Sequence, residues 1–555
     1  MRSEAFVLRE KTLGQLLDEA ASRNPGGDAL IHYDKNARWT WAELVRDVDR
    51  LAKGLMALGI KKGDKIGVWA TNVPYWVPLM FASARIGAIL VTVNTSYQEA
   101  ELEYLLQQSD CETLFMIDTY RDHDFLEILF NVAPAFKTQK AGQLHSENIP
   151  CLRRVVLFTD RKEQGLFALP EIMSLGESVS DVDYEAAKAQ VAPHDVVNMQ
   201  YTSGTTGFPK GVMLTHVNIL NNGYWIGKHQ NFTAADRICL PVPLFHCFGC
   251  VLGIMAIINH AATTVLIDAF NPLTVLAAVE KERCTGVYGV PTMFLAILEH
   301  KNFSRYDLST LRTGIMAGSV CPAPLMRRVV ADMHMSGITI CYGLTEGSPV
   351  MTQTRADDDF AHKTTTVGQA MPGIEVKVIN PDTGDEAPRG QPGEVICRGY
   401  NIMKGYYKMP EATAEVVDAE GWLHSGDLGI MDEDGYLVIT GRIKDMIIRG
   451  GENVYPIEIE EFLSGMEEIL DVQVVGVPSY KYGEEVAAFI IPKPGITLNA
   501  ADVRAFCRGN IAWHKVPRHF AFVEVFPLTG SGKIQKFKLR EMATAMFPDP
   551  DLEKA

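Results

Sequence analysis

The run Thr202-Ser203-Gly204-Thr205-Thr206-Gly207-Phe208-Pro209-Lys210-Gly211 carries the densest chemistry in the sequence. Its glycines let the backbone turn tightly and aim N–H groups inward. Hydroxyls on Thr202, Ser203, Thr205 and Thr206 stand beside them, with the ammonium of Lys210. Donors plus a cation on a glycine-rich turn describe a cradle for a polyphosphate. It is not a Walker A loop, because Gly207 is followed by Phe-Pro-Lys rather than Gly-Lys-Ser/Thr. Taken alone, the run also reads as a polar surface turn.

Elements must hold such a loop still. Thr40-Trp41-Ala42-Glu43 fits a capping box, and Leu44, Val45, Val48, Leu51, Ala52, Leu55 and Met56 follow at helical spacing up to Gly59. Ile66–Ala70 reads as a strand, Pro74–Ile86 as a helix and Ile89–Val93 as a β-branched strand. Strand, helix, strand with short joins implies a parallel sheet. The pattern returns at Glu101–Gln108 with Thr113–Ile117, and at Pro272–Glu282 with Gly286–Val290. Ile340–Glu346 reads as a strand running into a loop. The character changes near residue 441. Tyr436–Thr440 is an alternating strand, Val472–Val477 and Val486–Ile491 are apolar strands, Ala501–Ile511 is a helix and Ser531–Arg540 is basic. The fold class is therefore α/β, a large N-terminal domain of parallel or mixed sheets sandwiched by helices, followed by a small α+β domain.

Composition sets bounds. The 555 residues suggest roughly three to four domain-sized units. With 47% hydrophobic and 22% charged residues the chain is neither disordered nor collagen-like. A formal charge of −16 disfavours nucleic acid as a partner, since phosphate neutralisation needs clustered cations. Ten irregularly spaced cysteines do not form a secreted disulfide framework, and Met1–Lys11 has no apolar signal region, so a cytoplasmic location is expected. Ile238–Ile267 is thirty residues without Asp, Glu, Lys or Arg, long enough to cross a bilayer. Pro241, Pro243, His246, Asn259 and His260 interrupt it, and its flanks carry no excess of Lys or Arg. A buried strand–loop–helix is the better reading, with no membrane span.

Beyond the loop, Tyr342-Gly343-Leu344-Thr345-Glu346, Gly421–Asp427, Gly441-Arg442-Ile443-Lys444-Asp445 and Gly530-Ser531-Gly532-Lys533 follow in order. With these motifs nearly the whole chain resembles the adenylate-forming (ANL) enzymes: acyl-CoA synthetases, firefly luciferases and peptide-synthetase adenylation domains. Pro243–Gly249 and Arg449-Gly450-Gly451-Glu452-Asn453 make it most similar to the medium-chain, family-member-2 group of acyl-CoA synthetases. The resemblance implies an AMP-forming carboxylate–CoA ligase that uses ATP, Mg²⁺ and coenzyme A. A carboxylate attacks the α-phosphate of ATP, giving acyl-AMP and pyrophosphate, and the CoA thiol then displaces AMP.

On that resemblance Thr202–Gly211 holds the β- and γ-phosphates. Gly318 and Ser319 line the adenine, Tyr342 stacks on it beside Gly343, Thr345 bonds the α-phosphate and Glu346 is a Mg²⁺ ligand. Asp427 takes the ribose hydroxyls and Arg442 the ribose or the phosphates. Lys533 bridges the carboxylate and the α-phosphate. Residues 1–441 form the AMP-binding domain, 442–444 a hinge with Lys444 at its pivot, and 445–555 a mobile domain. Gly450 and Gly451 line a pantetheine tunnel, with Lys515 and Arg518 as weaker CoA phosphate contacts. His246 gates the acyl pocket, whose walls are Trp225, Phe248, Val251, Met316 and Gly318. The absence of acids from Ile238–Ile267 favours a neutral apolar acid, medium-chain, branched, alicyclic or benzoate-like, over an amino acid. Cys247 and Cys250 read as structural. Loading of a carrier protein, luciferase-like oxidation and a non-catalytic nucleotide-binding homologue stay open, as does self-association.

Overall fold

The computed structural model describes residues 6–202, 209–319, 321–450, 452–508, 510–528 and 534–549. These pack as two compact units, Met1–Val376 with Cys397–Leu423, and Lys377–Ile396 with His424–Ala555. The expected hinge residues 442–444 lie inside the second.

The first unit is built on two large sheets. An eight-stranded sheet runs in the order Gly405–Tyr406, Lys210–Thr215, Val196–Thr202, Ile89–Thr92, Lys65–Trp69, Thr113–Met116, Arg154–Leu157, Phe167–Ala168. The expected βαβ unit is at its centre: Lys65–Trp69 and Ile89–Thr92 are parallel neighbours joined through the helix Trp76–Arg85. The capping box is formed too. Thr40 Oγ1 accepts from Glu43 N at 3.2 Å, and the Glu43 carboxylate accepts from Thr40 N at 2.9 Å. The helix it starts, Trp41–Ala57, buries Leu44, Val48, Leu51 and Leu55.

A nine-stranded sheet includes the parallel neighbours Gly286–Gly289, Thr313–Met316 and Gly337–Gly343. Val265, Leu276, Val287, Phe294, Met316 and Ile340 share its core, a sheet face covered by helices. The uncharged run Ile238–Ile267 lies within this sheet. It is a strand (Arg237–Leu240), a loop through His246, a π-helix (Phe248–Met255), a short helix (Ala256–Asn259) and a buried strand (Thr263–Leu266). The lack of charge reflects burial on all sides. Among the described residues no helix is long and apolar enough to cross a membrane.

The second unit holds most of a four-stranded sheet, ordered Ile374–Ile379, Pro392–Gly399, Leu423–Met431, Leu437–Arg442. Its other sheet centres on the hairpin Ile469–Ser479 with Gly483–Pro492. Val472 and Val474 pack with Ile459, Leu463 and Val503, while Val475 and Val477 pack with Leu539 and Ala543. Alternate residues thus feed two small cores, which explains an apolar run without polar alternation. The helix expected over Ala501–Ile511 ends at Cys507, because Arg508 is extended and Gly509 and Asn510 are poor helix formers.

Candidate active site

The glycine-rich loop expected to hold phosphates joins two antiparallel strands. Val196–Thr202 and Lys210–Thr215 pair in register from Val196↔Thr215 to Thr202↔Lys210. The hairpin therefore sets Thr202 and Lys210 opposite each other at its end. Ser203, Gly204, Thr205, Thr206 and Gly207 lie outside the described residues. The exit of the loop is pinned from a neighbouring helix, where Tyr104 Oη donates to Pro209 O at 3.0 Å.

Tyr342 and Gly343 end the strand Gly337–Gly343, and Thr345–Gly347 follow as a single 3₁₀ turn. A Cβ at Gly343 would sit 1.8 Å from Pro349 O, so no other residue fits without moving the backbone that carries the turn. Thr345 and Glu346 are buried, and Tyr342 is half-buried. Gly318 (φ +95°) and Ser319 are exposed after the strand Thr313–Met316.

The segment 403–407 laces that turn to the hairpin. Met403 N donates to Glu346 O at 2.9 Å, Lys404 N to Met213 O at 2.9 Å and Tyr407 N to Gly211 O at 2.8 Å. Tyr406 Oη then donates to Glu346 Oε1 at 2.6 Å, and the Lys210 ammonium lies 5.0 Å from the centre of the Tyr406 ring. Burial, then the Glu346 carboxylate, push the Tyr406 phenol up, so it stays a donor. Tyr406 is the residue that sequence reasoning missed. Its only signal was a Gly-Tyr pair in a segment without a recognised motif.

His246 precedes the π-helix and is half-buried. Its Nδ1 accepts from Phe248 N at 3.1 Å, which leaves the proton of a neutral ring on Nε2. Cys247 Sγ lies 3.6 Å from His246 Nδ1 and 3.7 Å from Thr345 Oγ1. Cys250 Sγ accepts from Gln200 Nε2 at 3.0 Å and ties the π-helix to the hairpin that carries Thr202 and Lys210. Both thiols of the C-x-x-C are thus engaged in packing. Of the expected pocket walls, Phe248, Val251 and Met316 are buried, with the Phe248 ring 6.1 Å from that of Tyr288. Trp225 is buried against Phe6, Tyr224 and His229.

Within the second unit, strand register sets Asp427 opposite Arg442, and Arg442 Nε donates to Asp427 Oδ1 at 2.8 Å. Asp427 is 6% exposed, whereas Arg442 is open to solvent. Lys444 O accepts from Arg540 at 3.5 Å. Gly450 has φ +63° and donates to Tyr482 O at 2.8 Å. Lys515 is ion-paired to Glu458, and Arg518 to Glu485 at 3.4 Å. Gly451 and Lys533 lie outside the described residues. A bridge between Leu528 and Ile534 and an ion pair of Lys536 with Glu460 at 2.7 Å flank the position of Lys533.

No group of three or more His, Cys, Asp or Glu among the described residues forms a metal cage. The one buried carboxylate of Glu346, beside the Tyr406 hydroxyl, suits Mg²⁺ instead, because that ion keeps waters and is held by one or two carboxylates plus substrate phosphates.

The family model described as AMP-binding enzyme matches residues 17–407, and that of the AMP-binding enzyme C-terminal domain matches 458–533. The chain is 50% identical to a putative acyl-CoA synthetase, YngI, of Bacillus subtilis, over 97% of this chain and 98% of that one. It is 40% identical to the mitochondrial medium-chain acyl-CoA ligase ACSF2 of Bos taurus, over 96% and 88%. Among solved structures it is similar to the anthranilate CoA ligase AuaEII in complex with anthranoyl-AMP, with TM-score 0.84, 26% identity and coverage of 97% and 98%.

Proposed function

This chain belongs to the AMP-binding enzyme family, among the acyl-CoA synthetases, and from that premise we propose that it joins a neutral apolar carboxylic acid to coenzyme A through an acyl adenylate. The convergence of Lys210 and Glu346 on Tyr406, beside Thr345 and His246, carries the reading. A cation, a buried carboxylate and hydroxyls at one place answer the needs of a reaction that builds charge on phosphate oxygens.

In the first half-reaction the acid's carboxylate attacks the α-phosphorus of ATP and pyrophosphate leaves. Thr202 and Lys210 take phosphate oxygens at the hairpin, Thr345 donates to the α-phosphate, and Lys533 draws the attacking and attacked groups together. Glu346 would hold Mg²⁺, which neutralises phosphate charge when bound. Tyr342, Gly343, Gly318 and Ser319 receive the adenine, and Asp427 with Arg442 the ribose. In the second half-reaction the CoA thiol attacks the acyl carbonyl, the bond to phosphate oxygen breaks and AMP leaves. Gly450 and Gly451 admit the thiol, and Lys515 and Arg518, now paired with acids, exchange partners to meet CoA phosphates. Residues 442–444 act as the hinge between the half-reactions.

Buried Phe248 and Val251 of the π-helix, together with buried Met316 at the end of its strand, suit an acyl chain or ring without charge. The names of the relatives include both a medium-chain and an anthranilate ligase. A reducing compartment such as the cytoplasm suits ten free thiols.

The test is release of AMP and pyrophosphate from purified protein with ATP and Mg²⁺, with and without CoA. The acids run from acetate to palmitate and include branched, cyclohexane and benzoate acids. AMP formation that requires both CoA and a medium-chain or cyclic acid is expected. Lys533→Ala is expected to lower adenylation roughly a hundred- to a thousandfold. Adenylation with transfer only to a carrier protein, or no turnover with any acid, would remove the CoA-ligase reading.

A further inference from the structure

Asp427 sits just after a turn whose every residue is tied to one neighbouring strand. His424 Nδ1 donates to Glu394 Oε2 at 3.0 Å. Gly426 N donates to Glu394 Oε1 at 3.1 Å. Ser425 Oγ donates to Val395 O at 2.5 Å and accepts from Asp427 N at 3.0 Å. Gly426 has φ +69°, a conformation that reverses the chain just before Asp427. Glu394 is itself 8% exposed, so its carboxylate has left water for these two donors. The far side of Asp427 is held by Arg442.

We infer that Glu394 is a positioning residue for nucleotide recognition: by bonding His424 and Gly426 at once it fixes the turn that aims the Asp427 carboxylate at the ribose. The inference rests on the proposed ribose role of Asp427. Each oxygen of Glu394 accepts one donor from the turn, so the clamp needs both. In Glu394→Gln one oxygen remains as acceptor, and the new NH₂ group meets a donor where an acceptor stood. In Glu394→Ala both bonds go and the Gly426 turn is free to relax. On the proposed ribose role of Asp427, the loss falls on binding of the sugar and not on the chemistry.

The test compares ATP with 2′-deoxyATP and 3′-deoxyATP as substrates for pyrophosphate release, in the full-length wild type, Asp427→Ala, Glu394→Gln and Glu394→Ala. The wild type is expected to prefer ATP, and Asp427→Ala to lose that preference. Glu394→Gln is expected to cut the preference roughly tenfold, the scale of one hydrogen bond to a charged group. That change should come through KM for ATP, with kcat nearly kept, and Glu394→Ala should approach Asp427→Ala. Thermal melting confirms that each variant is folded, and the near-isosteric Glu394→Gln carries the test if Glu394→Ala is not. Glu394 variants that lose activity equally on all three nucleotides, or not at all, while Asp427→Ala abolishes the preference, overturn the positioning role alone. No preference in the wild type, or one that survives in Asp427→Ala, overturns the ribose reading and this inference with it.

Discussion

Tyr406 shows how one side chain can join two motifs that are 136 positions apart by their lysine and glutamate, Lys210 and Glu346. Its hydroxyl fills one lone-pair direction of Glu346 Oε1 and leaves the carboxylate oriented before any cation arrives. Removing that donor removes a hydrogen bond to a charged group, typically ~1.5–3 kcal/mol. Tyr406→Phe is therefore expected to raise the Mg²⁺ concentration for half-maximal adenylation about tenfold or more. Thioester formation from supplied acyl-AMP should change little. An unchanged Mg²⁺ dependence in a titration of pyrophosphate release would show that Glu346 needs no such support. The opposite lesson comes from Lys515 and Arg518. Both are candidates for CoA phosphate contacts in the sequence, and both are held by acids in the fold. Sequence gives a residue's chemistry, but its partner is set by packing.

At the scale of elements, the βαβ unit follows from local pattern, whereas the hairpin around Thr202 and Lys210 emerges only from the strand register. The π-helix Phe248–Met255 does not follow from local pattern either, because its apolar residues fit several helical periods equally. Gly249 explains part of it. A Cβ there would lie 2.3 Å from Pro243 O and 2.8 Å from Leu244 Cα, both backbone atoms. Those atoms belong to the loop that leads into His246. Gly249→Ala is expected to cost about 1–3 kcal/mol of stability, as overpacking does, and to raise KM for the acid by displacing His246 and Phe248. Thr40→Ala is the contrast. Loss of that helix cap should cost ~1 kcal/mol and leave KM for the acid unchanged. Thermal melting and acid titrations on the two variants decide the matter. Equal KM shifts in both would break the link between Gly249 and the pocket.

The molecule as a whole carries a pH dependence in its first unit. Burial lowers His216, His229 and His260 each from 6.5 to about 4. The unfolded chain then takes up protons more readily than the folded one between those values. Stability is full above pH 6.5, falls as the pH drops towards 4, and loses no more below it on this account. Asp471 in the second unit works the other way, since burial raises its carboxyl to about 6 and the folded form binds the proton first. Melting of the first unit is therefore expected to move to lower temperature between pH 6.5 and 4.5, followed by calorimetry. A flat profile there would contradict neutral, buried imidazoles. The sequence by itself determined the α/β class, the central βαβ unit and the acyl-CoA synthetase family, and it singled out Thr345, Glu346, Asp427 and Lys210 as candidates. Those depend on local periodicity and on short motifs whose residue types answer one chemistry. Only the tertiary structure decided that Tyr406 joins Glu346 to Lys210, that Arg442 pairs with Asp427 and that Glu394 grips the turn before it. Each of these contacts lies between strands or segments distant in the chain, where register and packing, not local sequence, choose the partner.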